Sequence, residues 1–206
     1  ATGQLTVTLT SPTGTVVTVP AKGLVEVPRV LAFLGFPEGT ACALRVRAEG
    51  PLVVAARTNN VDPAGVRKGT FSAQQFVTDW AEGLLGTGTT GYFIGVDQTL
   101  NVPGARTNLT VVGGRDGAAG ELVLRDAAGA ERGRRAFTRG AGEWGQLSVA
   151  DWFAAPALRG GLEAVAVPEN ARIDVAVATG SIDAFVSRID NGTGDAVTRP
   201  VARPED

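Results

Sequence analysis

Short runs in which apolar and polar residues alternate constrain this chain more than any other feature of its sequence. Apolar residues alternate with threonine in Leu5–Leu9, Ile173, Val175 and Val177 alternate with Asp174 and Ala176, and Leu122 and Leu124 lie between Glu121 and Arg125. This period of two places the apolar side chains on one face of a β-strand, because successive side chains point to opposite faces. Turns rich in glycine or proline, such as Ser11–Gly14 and Pro168–Asn170, separate the runs. The pattern predicts an all-β fold of antiparallel strands.

Only short helices fit between these runs. One is predicted over Arg29–Leu34, and a second over Val149–Ala154. The hydroxyl of Ser148 suits the N-cap position of the second helix. Trp152 is expected to be a core residue beneath this helix rather than part of a binding cleft. Gly180 is predicted to form a turn between two further strands.

The two halves of the chain carry related segments in the same order. A length of 206 residues suits two domains of roughly 100 residues each. The matched segments are Gly3–Val7 with Gly120–Leu124, Leu24–Val27 with Gly145–Val149, Val30–Phe33 with Ala150–Phe153, and Gly50–Arg57 with Gly180–Arg188. We therefore predict two tandem antiparallel β-sandwiches of the immunoglobulin-like or fibronectin-like kind. The first unit covers residues 1–70, a linker covers 71–90, and the second unit covers 91–206.

Missing residue types restrict the chemistry of the chain. The sequence has no histidine and one cysteine, Cys42. Catalysis by Ser-His-Asp or Cys-His groups is therefore excluded, as are histidine-ligated zinc and an intramolecular disulfide. Acidic residues stand singly along strands and turns, whereas a glycosidase needs two carboxylates in one cleft. We expect no catalytic residues, no enzyme activity and no organic cofactor.

The charge of the chain restricts its partners. A net charge of −2 argues against nucleic acid, because phosphate contacts need a basic face. One basic run, Arg132–Arg139, has Asp126 and Glu131 beside it, which favours a solvated strand face over an anion site. Apolar stretches stay shorter than the roughly 18 residues of a membrane-spanning helix. The sequence therefore predicts neither nucleic-acid binding nor a membrane span.

Two motifs in the second half resemble a known kind of repeat. Arg106–Leu109 reads RTNL at a strand start, and Ser187–Asp195 ends in DNGTGD. Together they resemble tandem β-sandwich repeats of large secreted bacterial proteins, with a good match over residues 91–200 and a weak one over 3–70. The first unit departs from the pattern, since it ends in Thr58–Pro63. The resemblance implies a secreted or cell-surface setting and no catalytic residues. Removal of a signal peptide would also explain a start at Ala1, as would trimming.

The DNGTGD segment admits two interpretations. Oxygen ligands from Asp190, Asn191 and Asp195 alternate along a tight loop, as Ca²⁺ requires. The loop lacks the third carboxylate and the distal glutamate of an EF-hand. Asn and Gly at these positions also suit a turn with positive φ. We favour the turn, and calcium stays the alternative.

The first unit is predicted to lack its opening strand. The second unit opens with Thr107–Val112 and turns at Gly113–Gly117 into Glu121–Leu124, whereas the first begins directly at the counterpart of Glu121–Leu124. A missing strand leaves an edge that invites pairing. Trimming of the chain and repair by the linker are two explanations; a strand inserted by a neighbouring molecule is the third. The expected inter-subunit residues are Leu5, Val7 and Leu9 on the acceptor and Phe71, Phe76, Tyr92, Phe93 and Ile94 on the donor.

Three functions are therefore compared. The first is a non-catalytic extracellular structural subunit, forming a homo-oligomer, filament or surface layer by strand exchange. The second is an accessory or adhesion module that binds carbohydrate or protein, which exposed Trp or Tyr in a concave patch would support. The third is an enzyme with a carboxylate dyad. We favour the structural subunit.

Overall fold

The computed structural model describes residues 4–10, 15–20, 23–37, 40, 44–48, 50, 52–60, 71–75, 84–99, 103–153 and 167–204. The chain divides into two compact units, Ala1–Val54 and Ala55–Asp206. Nearly all regular structure is β-strand, and the strands pair antiparallel. The predicted all-β antiparallel class is therefore confirmed. The finer prediction of two tandem sandwiches is not confirmed.

The first unit contains one small sheet and one helical turn. Its elements are β1 (Gln4–Thr10), β2 (Thr15–Pro20), α1 (Val30–Phe33) and β3 (Arg45–Ala48). The strand order is β2-β1-β3. Leu34, directly after α1, is buried against Val46 of β3 and Leu52, among other apolar side chains. The helical turn predicted over Arg29–Leu34 is thus present at Val30–Phe33.

The second unit is larger and contains the main core. Its elements are β4 (Ala56–Asn60), β5 (Phe71–Gln75), β6 (Leu85–Gly86), β7 (Thr90–Val96), β8 (Ala105–Arg125), β9 (Glu131–Arg139), β10 (Trp144–Ser148), α2 (Val149–Phe153), β11 (Ala171–Asp190) and β12 (Ala196–Pro200). Strands β4 and β5 pair only with each other among the described residues. The remaining strands of the unit form one seven-stranded sheet. The α2 helix begins after Ser148, whose Oγ accepts the backbone N–H of Asp151 at 3.1 Å, as predicted for its N-cap.

Two long strands, β8 and β11, organise the second unit. They pair with each other from Ala105↔Asp190 to Arg125↔Arg172. The first half of β8 also pairs with β10, and its second half pairs with β9. The first half of β11 pairs with β7, and its second half pairs with β12. Buried side chains from both halves of both strands, with those of α2 and β7, form one apolar cluster. The bent sheet therefore encloses a sandwich-like core.

Matched bends near Gly117 and Gly180 let the two strands change layers. In β11 the core-facing residues are odd-numbered up to Val177 and even-numbered from Ile182 onward. The ladder shifts register between Val177 and Ile182, and such a shift reverses the face to which side chains point. Gly117 and Gly180 have φ of 76° and 73°. A Cβ on Gly180 would overlap the carbonyl oxygen of Gly117. The turns predicted at Gly113–Gly117 and Gly180 are therefore bends within continuous strands.

The predicted domain boundaries need correction. The first unit ends at Val54 rather than near residue 70. The predicted linker, 71–90, contains β5, β6 and the first residue of β7. The β6 residues Leu85 and Gly86 pair with Ile182 and Ser181 of β11, and Leu85 lies in the core. This stretch therefore contributes strands to the second unit, and Leu85 packs in the core of that unit.

The predicted open edge beside Leu5, Val7 and Leu9 is also corrected. β1 pairs with β2 from Gln4 to Leu9 and with β3 from Val7 to Thr10. The expectation failed because it placed the missing strand beside this segment. In the second unit, Thr107–Val112 and Glu121–Leu124 are successive parts of β8 and do not pair with each other. A missing opening segment would therefore leave β1 with both of its neighbours, and strand exchange at Leu5–Leu9 is not supported.

Stability measurements on two glycine variants test the role of the bend. Gly180 and Gly129 both have positive φ, but a Cβ at Gly129 would meet only open space. Each Gly→Ala substitution should cost about 1–2 kcal/mol for the left-handed backbone. Gly180→Ala should cost roughly 1–3 kcal/mol more, because the methyl group must displace the backbone of β8. Urea unfolding followed by tryptophan fluorescence measures both, and equal losses would contradict the packed-bend interpretation.

Candidate functional site

One end of the second unit brings several charged and polar residues together. Asp97 follows β7, and Arg188 lies two positions beyond the buried Val186 on β11. The Arg188 Nε donates to Asp97 Oδ2 at 2.9 Å, and the backbone N–H of Asn170 donates to Asp97 Oδ1 at 3.2 Å. Both carboxylate oxygens of Asp97 are therefore engaged. This ion pair therefore joins the end of β7 to the second half of β11.

Thr107, near the start of β8, forms hydrogen bonds with the backbone of Asp97. Its side chain is buried, and its Oγ1 donates to the backbone carbonyl of Asp97 at 2.8 Å. The same oxygen accepts the backbone N–H of Asp97 at 3.2 Å. The backbone N–H of Thr107 donates to Gln98 Oε1 at 3.3 Å. One threonine thus satisfies both backbone polar groups of a residue that leaves the sheet.

Asn191 connects three chain segments at this end. Its Oδ1 accepts from Arg106 Nη1 at 2.9 Å, and its Nδ2 donates to the backbone carbonyl of Thr99 at 2.7 Å. Its backbone N–H donates to the carbonyl of Gly104 at 2.9 Å. The RTNL and DNGTGD motifs therefore contact each other directly. We call the set Asp97, Gln98, Thr99, Arg106, Thr107, Asn170, Arg188 and Asn191 the end network.

A shallow depression of about 330 Å³ lies beside the end network. Asp97, Thr99, Gly104, Glu169 and Arg188 are among its lining residues. Glu169 is exposed, so two carboxylates face one depression. Asp97, however, is already held by Arg188 and the Asn170 amide. The depression can therefore offer an exposed carboxylate and parts of a guanidinium to a small polar ligand.

The predicted calcium loop forms a hydrogen-bonded turn. Asp190 Oδ1 accepts the backbone N–H groups of Gly192 and Thr193, each at 2.8 Å. These hydrogen bonds lower the pKa of the Asp190 carboxyl, and the bond from the Thr193 amide has the largest effect. The backbone N–H of Gly194 donates to the carbonyl of Asp190, and that of Asp190 to the carbonyl of Asp195. Among the described residues, no group of three or more acidic or Cys side chains is arranged to hold a metal ion.

The predicted donor residues lie in different environments. Phe93 of β7 is buried in the core of its own unit. The ring of Tyr92 is covered by the guanidinium of Arg172, with Cζ 4.6 Å from the ring centroid. Ile94 is 61% exposed on the same strand. Phe71 begins β5, which pairs with β4, and Phe76 lies outside the described residues. Because β7 is already paired with β11, Tyr92, Phe93 and Ile94 do not form a free donor strand.

Two arginines of the basic run on β9, Arg132 and Arg134, form ion pairs with neighbouring carboxylates. Arg132 Nε donates to Asp126 Oδ2 at 2.8 Å. Arg134 pairs with Glu121 at 2.7 Å and Glu131 at 2.9 Å. The arginine contacts lower the pKa of both Asp126 and Glu131. This arrangement agrees with the solvated strand face expected from the sequence.

Two aromatic side chains of the second unit, Trp152 and Tyr92, give little support to a sugar-binding cleft. Trp152 is buried on α2, and its indole N–H donates to the carbonyl of Leu109 at 3.0 Å. It is therefore a core residue, as expected from the sequence. Arg139 lies over its ring with Cζ 5.2 Å from the centroid. Both Trp152 and Tyr92 thus have a face covered by residues of the unit itself.

Sequence reasoning missed Asp97, Glu169 and the pairing role of Arg188. Arg188 stands within the quoted closing motif, but nothing in the sequence indicated its partner 91 positions away. The signal for Asp97 was equally weak, because it is an isolated acid after a strand. Only the joint presence of RTNL and DNGTGD pointed to this end of the unit.

Comparisons with known proteins add little to this description. No family model matches the chain, and no curated protein matches it. A solved structure titled "Crystal Structure of Thermotoga maritima 1070" aligns with 59% of this chain and 98% of its own, at 12% identity and a TM-score of 0.41. That TM-score is too low to assign a fold family or an activity. In the described residues, no helix is long and apolar enough to cross a membrane.

Replacing Thr107 tests the structural importance of the end network. Thr107→Val keeps the shape of the side chain but removes both hydrogen bonds to the Asp97 backbone. We expect a loss of about 1–3 kcal/mol in the free energy of unfolding, because buried polar groups lose their partner. The control is Thr198→Val on β12, whose hydroxyl is partly exposed and 3.2 Å from Ser187 Oγ. It should change stability by less than about 0.5 kcal/mol. Similar losses in both variants would contradict the assigned role.

Chelation tests the calcium alternative. We expect EDTA to leave the melting temperature unchanged, because backbone amides occupy Asp190 Oδ1 and the Arg106 guanidinium occupies Asn191 Oδ1. Differential scanning calorimetry with added Ca²⁺, and again after EDTA, measures this. A rise in melting temperature with Ca²⁺ that EDTA reverses would instead assign an ion to Asp190, Asn191 and Asp195.

Proposed function

We propose that this chain is a non-catalytic structural module of an extracellular assembly. The observation that carries the proposal is the end network. Its charged and polar side chains, which could in principle act on a substrate, are hydrogen-bonded to one another or to the backbone. Asp97 with Arg188, and Asn191 with Arg106, connect strand ends and loops. The two motifs that the sequence singled out therefore serve to fix the shape of the unit.

Internal pairing argues against general acid–base catalysis at this site. A catalytic carboxylate must exchange a proton with substrate from within hydrogen-bond reach. Asp97 already accepts hydrogen bonds on both of its oxygens, one from the Arg188 guanidinium and one from the backbone N–H of Asn170. Glu169 lines the depression but is exposed to solvent, whereas catalytic acids typically lie in enclosed apolar surroundings. The sequence offers no histidine to act in their place.

The extracellular setting rests on the two motifs that resemble repeats of large secreted bacterial proteins. The architecture is compatible with such a role, since the second unit has one extensive antiparallel sheet around its own apolar core. Self-association is part of the proposal, but not through Leu5–Leu9, where β1 has neighbours on both sides.

A ligand-binding module is the second candidate, and one observation favours it. The depression beside the end network exposes Glu169 next to Arg188. A polar ligand such as a saccharide could hydrogen-bond to both. The shallowness of the depression and the covered rings of Tyr92 and Trp152 make this candidate weaker, because carbohydrate sites use exposed aromatic faces.

Sedimentation velocity over a wide range of protein concentration tests the structural role. We expect larger species to grow with concentration, because a structural subunit carries surfaces for its own assembly. A glycan array and a panel of chromogenic glycosides form the comparison arms, with Glu169→Gln as the matched variant. A chain that stays monomeric and binds glycans through Glu169 would overturn the proposal in favour of the second candidate. Turnover that Glu169→Gln abolishes would overturn its non-catalytic character.

A further inference from the structure

The peptide bond between Asn191 and Gly192 has a reactivity that the rest of the chain lacks. Alone among the asparagines of the sequence, Asn191 is followed by glycine. Because glycine has no Cβ, its backbone nitrogen can attack the Cγ of the preceding asparagine with little steric hindrance. Attack forms a new N–Cγ bond in a cyclic succinimide, the Cγ–Nδ2 bond breaks, and ammonia leaves with the Gly192 N–H proton. Water then opens the ring to give aspartate or isoaspartate.

The hydrogen bonds of the folded chain stabilise the unreacted asparagine. The Gly192 N–H donates to Asp190 Oδ1 at 2.8 Å, and Asn191 Nδ2 donates to the carbonyl of Thr99 at 2.7 Å. Ring closure removes both donors, since the nitrogen of Gly192 loses its hydrogen and Nδ2 leaves as ammonia. The Asp190 carboxylate also opposes the negative charge that develops on the Gly192 nitrogen as its proton departs. The folded state therefore favours the reactant over the succinimide.

The contacts that hold Asn191 lie at exposed strand ends. Arg106 Nη1 donates to Asn191 Oδ1, and the Asn191 backbone N–H donates to the carbonyl of Gly104, each at 2.9 Å. Arg106 near the start of β8 and Asp190 at the end of β11 are both exposed. Hydrogen bonds in such places open far more often than those of a core. The end network therefore shields the reactive bond only while the network is closed.

We infer that Asn191–Gly192 is a self-modification site, which the closed end network keeps unreacted and which reacts when the network opens. The nucleophile, the electrophile and the leaving group all belong to these two adjacent residues, and water completes the reaction. The site therefore needs no partner protein, and its reaction records how often this end of the second unit has opened.

The products do not rebuild the network. An aspartate at position 191 has no Nδ2 hydrogen to donate, so that a carboxylate oxygen faces the carbonyl oxygen of Thr99. Isoaspartate carries the backbone through the side-chain carbon and lengthens it, which displaces the Gly192 N–H from Asp190. The change is therefore one-way, and the modified chain keeps a weakened end network.

Reaction rates of the folded chain and of a free peptide test the shielding. The peptide of residues 187–195, SRIDNGTGD, has the same reactive bond without the contacts to Arg106 and Thr99. Both are incubated at mildly alkaline pH, and peptide mass spectrometry with chromatographic separation measures asparagine, aspartate and isoaspartate. We expect the folded chain to react at least about tenfold more slowly, because only its open population reacts. Equal rates, or a faster reaction in the folded chain, would overturn the inference.

Two arginine variants locate the shielding contacts. Arg106→Ala removes the guanidinium that holds Asn191 Oδ1, and it should raise the rate at least about threefold because the network opens more often. The matched control, Arg132→Ala, removes an exposed arginine of β9 that pairs with Asp126, and it should leave the rate unchanged. Circular dichroism checks that both variants fold. Equal rates would overturn the assignment to the end network, and a slower reaction in Arg106→Ala would mean that the guanidinium activates the amide instead of shielding it.

Two further variants separate the reaction from its consequence. Gly192→Ala, added to Arg106→Ala, should largely suppress the reaction, because a Cβ hinders attack by the backbone nitrogen; an unchanged rate would exclude the succinimide route. Asn191→Asp reproduces one product and should lower the melting temperature by several degrees, since the bond to the Thr99 carbonyl is lost. Pairing of the new carboxylate with the exposed Arg106 offsets little of this loss. An unchanged or higher melting temperature would contradict the one-way change.

Discussion

The pairing of β8 with β11 is the interaction on which the rest of the second unit depends. The two strands pair antiparallel from Ala105↔Asp190 to Arg125↔Arg172. The two halves of each strand pair with different neighbouring strands on the other side. This works only because both strands bend at the same level, at Gly117 and Gly180. The register shift beside Gly180 reverses the buried face of β11, so that its odd-numbered and then its even-numbered residues enter one core. A bend in one strand alone would direct half of its apolar residues to solvent.

The end network follows from this arrangement. Near the end of β11, the alternation that buries Val186 places Arg188 on the same face of the strand, but Arg188 lies beyond the buried cluster and is exposed. An arginine there must keep its guanidinium hydrated or paired, and Asp97 supplies the pair. Arg106 is paired in a similar way, since its guanidinium donates a hydrogen bond to the side-chain oxygen of Asn191 in the loop after β11. The charged and polar residues of the end network resemble a reactive site when they are seen in isolation. Their hydrogen bonds to one another are explained by their position where the strands of a sandwich-like core end.

Local features of the fold could be predicted from the sequence, but its long-range features could not. Alternation in Ile173–Val177 and the N-cap at Ser148 depend on neighbours within a few positions, and the structure contains both. The bends at Gly113–Gly117 and Gly180 were predicted as turns between separate strands. Glycine permits both a turn and a bend within one strand, and which of the two forms depends on the partner strand. The pair Asp97–Arg188 joins residues 91 positions apart, so no local pattern indicates it. The motifs RTNL and DNGTGD led to the right end of the unit without revealing which contacts they make.

The error over Leu5–Leu9 shows what sequence repeats do and do not contain. Aligned segments give the order of strands, but they do not say whether consecutive segments are hairpin neighbours or parts of one bent strand. Thr107–Val112 and Glu121–Leu124 are parts of one strand, so the partners of the opening segment are β10 and the far half of β11. In the sequence repeat, the counterpart of β10 is Leu24–Val27. It is irregular chain in the first unit, whereas β10 is a strand because the first half of β8 pairs with it. Aligned segments therefore do not by themselves determine which backbone conformation a segment adopts; the partner that it meets does.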